Sequence, residues 1–372
     1  MARIFLDGNE AIARGAVAAG CRFYAGYPIT PATTIFNAML ALLPPAGGIC
    51  IQGEDEIASI GACLGASMAG LKAMTATSGP GISLYSEQIS FAIAGEIPLV
   101  IVDVQRLGPS TGSATRGADG DVQFLRWGNS GGLPVIVLAP TDARDAFVLT
   151  AEAFNFAETY RCPVFIAANK EVGMTRESVN ADALIPPPAV ERAGPAGGSS
   201  FLPFSPPPGR EVPGFAPMGG SIPVRQTSST HGPDGYITTD PEVIAQTQAR
   251  LRDKIQGHAD QLARWEARME EEAETLIITY GVTARAARDA QDRLTRDGRP
   301  ASLLILKTLW PVPTDLIRKS ASGVRRVVVA EMNLGQYDRE VARLLPSSEV
   351  RPVGRMDGQL VSPEEIMAVV AQ

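Results

Sequence analysis

Carboxylates, hydroxyls and arginines are the reactive side chains this sequence has to offer. His231 and His258 are its only histidines and neither sits in a metal-ligand spacing, which weakens any Ser-His-Asp or Cys-His mechanism. Glu54-Asp55-Glu56 heads the small, apolar run Ile57–Gly70. Acids at a helix start suit the positive end of the macrodipole, an ordinary structural role. Glu56, however, borders a run whose composition implies burial, and an acid at the edge of apolar surface has its protonated form favoured, as a proton shuttle requires. In Tyr27-Pro28-Ile29-Thr30-Pro31-Ala32-Thr33-Thr34 two prolines stiffen the chain and hold the Thr30 hydroxyl ahead of a helix. Capping that helix, with Pro31 at its first position, is the plainer role. Thr75-Ala76-Thr77-Ser78-Gly79-Pro80-Gly81 runs through small residues that let a backbone approach a ligand, though it has neither phosphate-loop nor dinucleotide-loop order. A tight packing turn would look the same. Arg106, in Asp103-Val104-Gln105-Arg106, stands just past a presumed buried strand. Ligands in open α/β sheets favour that edge, and Arg can grip a carboxylate with two bonds; a solvated surface arginine is the alternative.

The elements that must position these groups alternate. Gly8–Gly20 has apolar residues at helical spacing and a glycine stop, and Arg22–Gly26 reads as a strand entering a loop. Lys72–Thr77, Leu99–Val104, Pro134–Ala139 and Pro163–Ala168 are strand-length and mostly apolar, as strands covered on both faces are; Asp142–Tyr160 is a helix. We therefore expect an open α/β domain over residues 1–182. Thirteen of the 29 prolines fall between Pro186 and Pro241, so 183–240 reads as an irregular connector laid over protein surface, available to wrap a partner. Asp240-Pro241-Glu242 then starts a helix, and an amphipathic stretch reaches about Glu274 with Trp265 and Met269 on its apolar side. Thr275–Gly281, Ala301–Leu306 and Val324–Ala330 are strands and Thr283–Asp297 a helix, giving a second α/β unit within 241–372.

At 372 residues the chain is long enough for two domains, and its 45% hydrophobic and 20% charged residues are those of a globular protein. Lys and Arg number 33 against 40 Asp and Glu, a net charge of −7 that argues against binding nucleic acid or anionic membranes. No run is apolar enough for a membrane span and Met1–Gly15 is no signal peptide. Cys21, Cys50, Cys63 and Cys162 are scattered without a C-x-x-C pair, so we expect no metal site and reduced thiols in a cytoplasmic setting.

In combination and order, the motifs resemble the alpha chain, the pyrimidine-binding subunit, of the split thiamine-diphosphate-dependent 2-oxoacid:ferredoxin oxidoreductases. Tyr27-Pro28-Ile29-Thr30-Pro31, Gly53-Glu54-Asp55-Glu56-Ile57-Ala58, Gly65-Ala66-Ser67, Thr77-Ser78-Gly79-Pro80-Gly81 and Asp103-Val104-Gln105-Arg106 with Gly108-Pro109-Ser110-Thr111-Gly112 carry the likeness. Thr279-Tyr280-Gly281, Glu331–Gln336 and Asp357-Gly358 resemble the family's transketolase-C-terminal-like domain. Within the family the arginine and GPSTG motifs look most like the 2-oxoglutarate enzymes, with pyruvate and branched-chain enzymes as close alternatives. The resemblance implies CoA-dependent oxidative decarboxylation, with electrons passing to ferredoxin. It puts the Glu56 carboxyl against the coenzyme's pyrimidine N1′, so that the imino tautomer can draw a proton from thiazolium C2 and the ring can act as electron sink. Thr30 would bond the substrate's 2-oxo or carboxylate group and Arg106 would supply charge beside that carboxylate. Tyr27, Ser78 and Gly79 would line the pyrimidine.

One departure follows GPSTG: Ser113–Val122 replaces the Pro-Thr and Gln-Gly-Asp-Leu pattern of the 2-oxoglutarate members, altering a loop at the rim that holds Arg116. The Gly-Asp-Gly…Asn clamp for Mg²⁺ and diphosphate is missing too, since Gly120-Asp121-Val122 lacks its second glycine and Asn155 lies too far on. The resemblance thus assigns Mg²⁺, diphosphate site and iron–sulfur cluster to a beta subunit, with gamma or delta subunits as further partners and CoA as co-substrate. An NAD-linked 2-oxoacid dehydrogenase or transketolase subunit, and a catalytically silent scaffold, are the readings from other classes.

Overall fold

A computed structural model describes residues 3–195 and 201–372. Its largest sheet has seven strands, in the order Thr308–Trp310, Ile136–Leu138, Pro163–Asn169, Leu99–Gln105, Ala73–Thr77, Phe23–Gly26, Ile49–Gln52. All pair in parallel except the first, which runs antiparallel to Ile136–Leu138. The central strands are buried along their whole length, because helices cover both faces; this is why they are continuous rather than alternating apolar runs. Gly8–Ala18 and Ala143–Tyr160 pack on one face, and Glu56–Met68 lies on the other with Ser86–Ala94. A second sheet orders Glu349–Gly354, Arg326–Glu331, Thr275–Tyr280, Ser302–Leu306 and Trp265–Arg268. The α/β fold expected from the sequence is therefore present, with two open, mostly parallel sheets, each bearing one antiparallel edge strand.

Two segments depart from the sequence reading. The helix beginning at Pro241, capped by the Asp240 carboxylate accepting from the Glu242 N–H at 2.9 Å, stops at Gln256 rather than running on towards Glu274. Trp265–Arg268 instead forms the antiparallel edge of the second sheet, paired with Leu303–Leu306, so sheet pairing overrides the helical spacing of Trp265. Thr308–Trp310, just past that sheet's Ser302–Leu306 strand, crosses to the first sheet, so the C-terminal part of the chain completes the N-terminal sheet.

The proline-rich connector, of which 196–200 lie outside the described residues, contains no helix or strand between Pro186 and Asp240 among the residues described. It is nevertheless anchored to this chain's own surface. Arg192 forks onto Glu158 at 2.5 and 2.9 Å, both side chains buried, and donates to the Ser67 carbonyl. Arg161 reaches the carbonyls of Pro203, Pro213 and Gly214, while its Nε donates to the Glu96 carbonyl at 3.1 Å. Glu96 is fully buried between Lys254 at 2.8 Å and Arg250 at 2.6 Å. Burial alone would raise its pKa, but the two cations prevail and hold it down at about 2.

Candidate active site

Glu56 is the first residue of the helix Glu56–Met68. The Asp55 side chain caps that helix, accepting from the Ala58 N–H at 2.7 Å, which fixes where the helix begins and so where Glu56 points. The Glu56 side chain is 8% exposed, and it lies against Gly81: a β-carbon there would stand 2.9 Å from its Cγ and would collide with the Thr77 hydroxyl as well. Only glycine leaves both groups in place. Ser78, the residue before the helix Gly79–Leu84, is fully buried with a hydroxyl that has no hydrogen-bond partner.

From the next strand, Arg106 follows Gln105 at the carboxyl edge of the sheet and turns back over this site. Its Nη1 donates to the Thr30 carbonyl at 2.6 Å, and its side chain borders Gly79, whose added β-carbon would lie 3.8 Å from Cγ. Its Nε is buried without a partner. The loop and strand order thus brings Glu56, Ser78, Gly79, Arg106 and Thr30 to one edge of the sheet. Thr30 does not cap the following helix, which begins at Thr33 with Ala32 in the cap position and no side-chain bond; Thr30 itself is exposed. Tyr27 is 39% exposed and so stands at the rim rather than in a packed wall.

Around the Glu56 edge Ile51 near the end of the edge strand, Ile57 beside Glu56, and Tyr27 are exposed, among the exposed polar side chains of Gln52, Glu54 and Asp55. Sequence reasoning missed Thr77, Gly81 and the carboxyl pair Asp103 and Asp121 behind Arg106. Gly81 was legible only as part of a glycine-rich turn, and the pairing of residues 103 and 121 has no local signature because eighteen positions separate them.

The region 14–195 matches the family model for the thiamine-diphosphate-binding domain of pyruvate flavodoxin/ferredoxin oxidoreductases, and 273–366 matches core domain II of pyruvate:ferredoxin oxidoreductase. The 2-oxoglutarate synthase subunit KorA of Methanocaldococcus jannaschii is 42% identical over 98% of both chains. The chain belongs to the 2-oxoacid:ferredoxin oxidoreductase family. The KorA subunit of Archaeoglobus fulgidus is 38% identical over 98% of this chain and 97% of its own. The ketoisovalerate oxidoreductase subunit VorB of Methanothermobacter marburgensis is 32% identical over 100% and 98%. The 2-oxoglutarate:ferredoxin oxidoreductase of Magnetococcus marinus, solved with 2-oxoglutarate, coenzyme A and succinyl-CoA bound, superposes with a TM-score of 0.92 at 31% identity. That likeness covers 99% of this chain but 65% of that longer one. A split-gene transketolase, at 15% identity and a TM-score of 0.59, shares the fold alone. As a family member the chain is an alpha-type subunit of a multi-subunit enzyme.

The residues present fit the pyrimidine end of thiamine diphosphate. A shielded carboxyl faces the Gly81 clearing, and Ser78 holds an unsatisfied buried hydroxyl beside it. Among the described residues no cluster of three or more His, Cys, Asp or Glu side chains is placed to hold a metal ion, and no helix is long and apolar enough to cross a membrane.

Proposed function

We propose that this chain is the alpha subunit of a 2-oxoglutarate:ferredoxin oxidoreductase, converting 2-oxoglutarate and CoA to succinyl-CoA and CO₂ reversibly, with electrons to ferredoxin. The observation that carries this is the placement of a buried acid, Glu56, against the Gly81 clearing, with the unpartnered Ser78 hydroxyl and Arg106 at the same edge of the sheet. When bound, thiamine diphosphate supplies the electron sink for CO₂ loss. Glu56 holds a proton at the pyrimidine N1′, and the apolar run behind it keeps water from competing for that bond. Ser78 and Gly79 would line the ring, with Tyr27 at the rim. Thr30 orients the substrate's 2-oxo end, and the Arg106 guanidinium, already tethered to the Thr30 backbone, meets its carboxylate.

A beta subunit seats on the exposed rim and brings Mg²⁺, the diphosphate site and the iron–sulfur cluster, with gamma or delta subunits beyond it. The reading divides the chain into a pyrimidine-type domain (1–182), a connector (183–240) and a transketolase-C-terminal-like domain with its leading helix (241–372). A cytoplasmic setting accords with four free thiols, three of them buried.

The test is Glu56→Gln in the purified complex, assayed with 2-oxoglutarate, CoA and a viologen acceptor. Losing the acid–base group lowers turnover by at least about 10²-fold. Unchanged turnover would make this chain a scaffold, and faster turnover on pyruvate or 2-oxoisovalerate would reassign the substrate.

A further inference from the structure

Behind Arg106 lies a second pair of acids. Asp103 is on the strand Leu99–Gln105, three residues before Arg106, and is fully buried. It is in register with Thr77 on one neighbouring strand and Ala167 on the other, so it belongs to the same sheet edge as the Glu56 clearing. Among the described residues no nitrogen or hydroxyl donates to either of its oxygens; the group in hydrogen-bonding contact with it is the carboxyl of Asp121. Asp121 stands ahead of the helix Val122–Trp127 yet makes no capping bond, and its Oδ2 is buried without a donor. Its own N–H is held by the Gln105 side chain at 3.1 Å, which fixes the pair across the loop. Arg106 is the cation facing Asp121, and its Nε is itself buried and unpartnered. Asp119 faces the pair from the loop, with Glu171 and Glu331 beyond it.

Two carboxyls in contact without other donors hold one proton between them, since both cannot ionise side by side. The pair then carries one negative charge that offsets Arg106. We propose that Asp103 and Asp121 form a proton-sharing pair that takes up a second proton when the carboxylate of a 2-oxoacid meets Arg106, and returns it when that carboxylate departs as CO₂. The pair never touches the substrate; it positions charge through Arg106. Neutralising the pair frees the guanidinium's charge for the incoming anion, and restoring its charge after decarboxylation keeps the site near neutrality. The inference rests on the reading of Arg106 as the carboxylate-binding residue.

Burial raises both Asp103 and Asp121 above the usual carboxylate range, for Asp121 against the pull of Asp103 and Arg106. In the free enzyme the pair therefore passes from neutral to singly charged above the ordinary carboxylate range, and a bound carboxylate shifts that transition upwards. Apparent affinity for the 2-oxoacid is full below that transition and weakens as pH rises through it, by up to about tenfold per unit for one linked proton. The experiment is the pH profile of kcat/KM for 2-oxoglutarate in the holo-complex from pH 5.5 to 8.5, for the natural protein, Asp121→Asn and Asp103→Asn. We expect a limb that falls with rising pH in the natural protein and its loss in both variants, with the kcat profile retained. The same falling limb in either variant, or a flat profile in the natural protein, overturns the proposal. The natural protein's profile decides alone where a variant does not assemble. A complex that does not turn over 2-oxoglutarate at all refutes the functional reading instead.

Discussion

At the scale of single residues the site is a set of mutually exclusive volumes and charges. Gly81 is the clearest case, because any side chain there meets both Glu56 and Thr77. Gly81→Ala in the complex should lower turnover by about tenfold or more through displacement of the acid, while circular dichroism and subunit co-purification stay unchanged, because the clash can be relieved by turning both the Glu56 and the Thr77 side chains away. Arg106 has its own test. Lysine keeps the charge but loses the planar fork, so Arg106→Lys should raise KM for the 2-oxoacid by about 10- to 100-fold, the scale of one charge-assisted hydrogen bond, with a smaller change in kcat. The placement of Glu56, Thr30, Ser78 and Arg106 at one edge of the sheet was legible in the sequence because each sits in a short motif beside an apolar run. The support behind them was not. Asp55 as the cap, Thr77 as a second wall of the clearing and the Asp103–Asp121 contact depend on which strands are neighbours, and no spacing along the chain encodes that.

At the scale of elements, the seven-residue strand Leu99–Gln105 and the helix Glu56–Met68 do the positioning, and both follow from local rules: continuous apolar character for a strand covered on both faces, and an aspartate cap before a small-residue helix. The misreading of Trp265 shows the limit. Its spacing suits the preceding helix, yet the free edge of the second sheet captures Trp265–Arg268, a gain that only the assembled sheet offers. The connector was legible as irregular from its prolines, but its anchorage was not, because Arg161, Arg192 and Glu158 find their partners through folding and not through adjacency. Replacing Glu96 with Ala leaves Lys254 and Arg250 buried without their counter-charge. That change should destabilise the fold by about 3–5 kcal/mol, read as a lower melting midpoint in urea, and should loosen the connector to protease before the rest of the chain unfolds.

At the scale of the whole molecule, two buried acids act in opposite directions on stability. Glu96 is held down at about 2, so its contribution is complete above the ordinary carboxylate value of about 4.3 and is lost as the pH falls through about 2. Asp119 is pushed up to about 8, chiefly by burial at the joint between the two sheets, where it accepts from the Met332 N–H and the Asn169 side chain and its backbone carbonyl accepts from Asn333. Its contribution is complete below about 3.9 and is lost as the pH rises through about 8. Asp119→Asn should therefore flatten the decline in thermal midpoint between pH 5 and 8, a comparison that scanning calorimetry of the isolated subunit can make.

The crossing of Thr308–Trp310 into the first sheet carries a practical consequence for anyone dissecting this protein. A fragment ending near residue 240 would lose the ribbon that shields Ile136–Leu138 and would present that strand's bare backbone to its neighbours in solution. Such a fragment should self-associate, and adding back the C-terminal piece in trans should dissolve the aggregates by re-covering the margin.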